Sequence, residues 1–141
     1  MFKYVVIAKK NPIGKDVKFY AQADKTAPID IDIITQRIEK RTTVSSADAK
    51  AVLDALEYEI KEALIDGKSV RLGDLGTFRA TVHGKGAATR ESHSVKNISN
   101  LKCVFKPSVR LANWLNPSKN EDLKFMKSGD IFTDLGQIEE E

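Results

Sequence analysis

Apolar and polar positions alternate at the start of this chain, fall into helical spacing through its middle, then alternate again. Residues 3–8 (Lys-Tyr-Val-Val-Ile-Ala) are β-branched and aromatic and predict a strand. Asn11-Pro12-Ile13-Gly14 is a turn signal, and residues 17–23 predict a second strand, giving an N-terminal hairpin. Asp30 or Asp32 is placed to cap a helix of about ten residues with Ile33, Ile34 and Ile38 on one side, ended by Thr42-Thr43. Ser45-Ser46-Ala47-Asp48 has the spacing of a capping box, with Val44 ahead of it as a staple. The helix it opens carries Ala49, Val52, Leu53, Leu56, Ile60, Ala63 and Leu64 and runs to about Asp66, where Gly67 supplies the stop.

The period then changes from 3.6 to 2. Ser69–Leu72 and Thr77–Val82 predict strands around a Gly73-Asp74-Leu75-Gly76 turn. Residues 83–100 are polar and lack apolar periodicity, a length of loop that is usually functional or mobile. Leu101–Lys106 returns as a strand, and Pro107-Ser108 opens a short helix over 108–115. Beyond it, Leu123–Lys127 suits a short strand and 137–141 an acidic, frayed tail.

Composition narrows the class. The 141 residues are 41% hydrophobic and 30% charged, enough for one ordered domain or for half of a core shared in a dimer. No run approaches the roughly 18 apolar residues of a membrane span. The N-terminal apolar run is too short for a signal-peptide core. With the single Cys103, this suggests a reducing, cytoplasmic setting.

Charge is unevenly placed. Residues 1–116 hold 20 basic and 13 acidic side chains, whereas residues 117–141 hold 3 and 7. Residues 77–110 carry Arg79, Lys85, Arg90, Lys96, Lys102, Lys106 and Arg110 against one acid, Glu91. Such an excess suits a polyanion, although solvated loops also collect lysines.

Enzymatic motifs are weak. Gly67-Lys68-Ser69 mimics the end of a phosphate-binding loop, but Glu62 stands where the upstream glycine is required. Asn97-Ile98-Ser99 is a glycosylation sequon without a secretory signal. Asp30 with Asp32 reads as helix-start charge, and Glu57 with Glu59 as an exposed helix face. His83 and His93 have no Cys or acid at zinc-site spacing. No nucleophile and base are brought together by adjacent motifs. The expectation is a non-enzyme with no cofactor, no metal and no small-molecule substrate.

The order of elements, with Val44–Ala49, Val70–Phe78 (Val-Arg-Leu-Gly-Asp-Leu-Gly-Thr-Phe) and Val104–Ser108 (Val-Phe-Lys-Pro-Ser), resembles the bacterial histone-like HU/IHF family of DNA-bending proteins. The match spans roughly residues 30–116. The added hairpin and the C-terminal Leu-Lys-Phe look like the extended HU-like branch found in Bacteroidetes. The resemblance implies an α+β fold with a helical base under a three-stranded antiparallel sheet, a protruding β-arm at about 79–102, and an intertwined homodimer. It divides the chain into a hairpin extension (1–28), the HU/IHF-like domain (29–116) and a C-terminal extension with an acidic tail (117–141).

It also implies a nucleoid protein that binds, bends and condenses double-stranded DNA. Arg79, Lys85, Arg90, Lys96 and Lys102 would line the arm and its roots, while Lys106 and Arg110 would flank the start of the last helix. Minor-groove contact of this kind carries little sequence selectivity. Two departures stand out. Asp74 and Leu75 replace the family's usual Gly and Phe, and residues 83–100 lack the tip proline that wedges between base pairs. Val95 or Ile98 is the smaller apolar candidate for that role. The alternative reading is an HU-like structural or protein-interaction module without strong DNA bending. A further variant has the acidic tail competing with DNA for the basic face.

Overall fold

A computed structural model describes residues 1–128. The acidic tail expected at 137–141 lies outside the described residues. The described chain divides into two compact units, one formed by Ile29–Asn113 and the other by Met1–Pro28 with residues 114–128.

In the central unit, α1 (Ile31–Arg41) and α2 (Ser46–Ile65) pack together. The Asp30 side chain caps α1 by accepting from the Ile33 amide at 3.0 Å. At the other end the Thr42 amide donates to the Ile38 carbonyl. Lys40 and Arg41 complement the dipole in the last turn. Ser45 caps α2 by accepting from the Asp48 amide at 3.1 Å. The end of α2 is a Schellman closure: the Gly67 amide reaches the Leu64 carbonyl and the Lys68 amide the Ala63 carbonyl. That geometry needs φ of +78° at residue 67, which glycine adopts without steric cost.

The chain then forms β3 (Val70–Arg71), β4 (Gly76–Gly84) and β5 (Ile98–Pro107), an antiparallel sheet in the order β3-β4-β5. Three details differ from the expectation. β3 is only two residues long, β4 reaches Gly84, and β5 begins at Ile98 rather than Leu101. The ladder passes from His83–Asn100 to Gly84–Ile98, leaving Ser99 as a bulge. At Gly84 a Cβ would sit 2.1 Å from the Asn97 carbonyl oxygen, so only glycine permits this approach. The helix α3 (Val109–Trp114) follows, with Ser108 Oγ accepting from the Leu111 amide at 3.1 Å.

In the other unit, β1 (Phe2–Lys10) and β2 (Val17–Ala23) form the expected hairpin, paired from Tyr4–Ala23 to Lys10–Val17. The short strand β6 (Phe125–Lys127) joins the opposite edge of β1 and runs parallel to it, with Phe2 beside Phe125. Alternation puts Phe2, Val6, Phe19 and Phe125 on one face of this sheet, and all four are exposed.

Candidate nucleic-acid interface

Period-2 alternation sorts the β4–β5 ladder into two chemically distinct faces. Phe78, Ala80 and Val82 pair with Phe105, Cys103 and Leu101 on the apolar face. The Phe78 and Phe105 ring centroids lie 4.9 Å apart. The other face carries Thr77 opposite Lys106, Arg79 opposite Val104, Thr81 opposite Lys102 and His83 opposite Asn100. Three of the seven basic candidates, Arg79, Lys102 and Lys106, therefore share one face.

Arg71 belongs to the same set. It pairs with Thr77, which pairs with Lys106, so a single row crosses all three strands with a cation at each outer position. Arg71 falls outside the basic candidates read from the sequence, because that charge excess begins at residue 77. The signal that finds it is local: Val70 and Leu72 flank it in alternation. His83 is part of this polar face, its Nε2 lying 3.2 Å from Thr81 Oγ1.

Lys85, Arg90 and Lys96 lie beyond the paired part of the ladder. The Lys85 amide donates to the Asn97 carbonyl at 2.8 Å, which closes the base of the loop. Ser94 opens a single 3-10 turn at Val95–Asn97, its amide donating to Asn97 Oδ1 at 3.0 Å. Thr89 and Ser92 exchange backbone-to-hydroxyl bonds around Arg90, each 3.1 Å long. The loop is thus held by its own polar side chains, and its three cations are exposed.

Among the described residues, Arg71, Arg79, Lys85, Arg90, Lys96, Lys102 and Lys106 have no carboxylate within ion-pair distance. Arg110 differs, because its guanidinium pairs with Asp74 at 2.9 Å. The start of α3 is also partly occupied, since Ser108 already takes the Leu111 amide.

Comparison with known proteins places this architecture. The family model described as an HU domain fused to wHTH, Ig or glycine-rich motif matches residues 1–121. The chain belongs to this HU-HIG family. The match takes in the N-terminal hairpin as well as this HU domain's helices, sheet and loop. No curated protein matches the chain. A solved structure from Bacteroides vulgatus, described as a "putative bacterial DNA binding protein", shares 20% sequence identity and a TM-score of 0.63. The alignment covers 90% of the present chain and 48% of that one, so the HU-HIG chain described here spans about half of its solved neighbour's length. At this identity the likeness speaks for the fold. No helix among the described residues is long and apolar enough to cross a membrane.

Proposed function

We propose that this HU-domain protein binds double-stranded DNA, as a two-fold dimer whose basic arms follow the minor groove. One observation carries the reading: exposed cations on one sheet face continue into three more on the loop that the same two strands present. Phosphates line both rims of the minor groove, so a narrow ribbon with long cationic side chains suits that site. Contacts of this kind neutralise the backbone and read few base edges, so binding is expected to be nearly independent of sequence. The role is architectural: bending and condensing nucleoid DNA without cofactor or catalysis. The assignment in the Bacteroides structure's description agrees with this reading.

What one chain leaves uncovered supports the dimer. Among the described residues Ala49 is the only buried apolar side chain, and no side chain is fully buried. Val52 on α2 is 64% exposed, and Phe105 in the sheet is 43% exposed. Complete burial of such a side chain is worth about 1.5–3 kcal/mol, so a second copy covering them would supply much of the missing stabilisation.

Arg90→Ala with Lys96→Ala tests the arm. Affinity for duplexes of unrelated sequence is expected to fall alike. The slope of log affinity against log salt is expected to shrink by about 0.9 for each phosphate that is no longer neutralised. Unchanged affinity and slope would remove the arm from the interface.

A second reading, an HU-like interaction module without strong bending, draws on the missing arm proline and the exposed apolar face of the N-terminal sheet. It predicts no duplex binding at micromolar protein, at low or moderate salt.

A further inference from the structure

The end of the β1–β2 hairpin carries a charge arrangement that works against its own strand pairing. Residues 9–18 contain Lys9, Lys10, Lys15 and Lys18 and a single acid, Asp16. Lys9 and Lys18 are direct cross-strand partners, so both side chains leave the same face of the sheet. Like charges placed opposite one another destabilise a strand pair. Among the described residues, none of the four lysines has a carboxylate within ion-pair distance to offset that repulsion. All four are exposed.

The Lys9 side chain and the backbone of the turn are nevertheless held in place. The Lys9 ammonium lies over the Tyr20 ring, 5.8 Å from its centroid. The connecting turn is tied by the Asn11 amide to the Asp16 carbonyl at 3.2 Å and by Asn11 Oδ1 to the Ile13 amide at 3.1 Å. Lys9, Lys10, Lys18 and Tyr20, with Asp16 as the one acid, line one open hollow of about 440 Å³. An open surface of this kind does not enclose a single small anion, because each exposed contact is weak. A polyanion changes the balance: every phosphate neutralised releases a counterion, and many weak contacts add up.

We propose that this hairpin end is a second contact for the phosphate backbone of duplex DNA, separate from the arm. It rests on the DNA-binding reading above and adds a footprint from the N-terminal extension. The phosphates relieve the Lys9–Lys18 repulsion that the isolated sheet retains, which couples binding to the stability of the hairpin.

The test uses the full chain and a duplex of roughly 20–30 base pairs, titrated over a series of salt concentrations. Lys9→Gln with Lys18→Gln is expected to lower affinity on the order of tenfold near 0.15 M salt, and to flatten the salt slope by about 0.9 per lysine. Lys9→Glu places opposite charges across the strands, so it is expected to raise the melting temperature while lowering affinity. A lysine that served only the fold would move both in the same direction. Duplex binding by the wild type with unchanged affinity and slope in the hairpin variants overturns this proposal and leaves the arm reading standing. A wild type that does not bind duplex overturns both. Wild-type binding to phosphatidylserine vesicles, lost in the Lys9→Gln, Lys18→Gln variant while duplex binding persists, overturns it as well and assigns the hairpin to a lipid surface.

Discussion

Arg110 Nη1 donates to Asp74 Oδ2 across 2.9 Å, joining the β3–β4 turn to α3. The same turn accepts the Ser108 hydroxyl on the Asp74 carbonyl and the Ser108 amide on the Leu75 carbonyl. The Asp74 carboxylate therefore offsets the charge of one of the seven basic side chains expected to meet DNA, while its neighbours keep theirs. Replacing Asp74 with Asn removes that negative charge. Both partners are exposed, so the loss of stability should stay within about 1 kcal/mol by chemical denaturation. Duplex affinity should rise and its salt slope steepen, which a fluorescence titration at several salt concentrations reads directly.

Arg71 closes the row that runs through Thr77 to Lys106. Arg71→Gln keeps much of the length and polarity of the side chain and removes its charge. The expected outcome is weaker binding to every duplex, with the salt slope reduced by about 0.9 and little change in melting temperature. A change confined to particular sequences would instead make Arg71 a reader of base edges.

The exposed apolar side chains of the central unit make concentration dependence the test of the proposed dimer. If two copies share one core, the melting temperature should rise with protein concentration, and sedimentation should report twice the mass of one chain. Val52→Asp, at a position 64% exposed in the single chain, should shift that equilibrium towards the monomer. A monomer that melts at the same temperature across a hundredfold dilution would contradict the shared core.

Gly76 sits where β4 leaves the turn, at φ +152°. A Cβ there would lie 2.3 Å from the Lys106 carbonyl oxygen and 2.7 Å from the Phe105 ring. Neither neighbour is the free end of a flexible chain, so Gly76→Ala should cost about 2–4 kcal/mol and loosen the pairing of β4 with β5. Denaturation midpoints compared with Gly86→Ala provide the control, since nothing lies within 4 Å of a Cβ at Gly86.

Legibility followed the range of the interactions. The cap at Ser45 and the stop at Gly67 were readable, and the cap of α1 was narrowed to Asp30 or Asp32, because each is decided within a few residues. The hairpin was readable from alternation on both sides of Asn11–Gly14. The early start of β5 was not, because Ser99 and Asn100 have weak strand propensity, and the segment is recruited by the pairing of Ile98 and Asn100 with the far end of β4. The common face of Arg71, Arg79, Lys102 and Lys106 needs the register across three strands, which charge counting alone does not contain. Nor does spacing reveal that Asp74 answers Arg110, 36 residues away. The strand at 123–127 was legible as a strand, but its parallel place beside β1 was not.

That placement of β6 sets an order of events during synthesis. Phe2 is made before the central unit, and its neighbour Phe125 emerges only after the whole of that unit has been made. The hairpin can form at once, but one edge of β1 stays open until then, a template on which a strand from another nascent chain could settle. Rapid folding of the intervening helices and sheet would shorten the effective loop and bring the late strand home first.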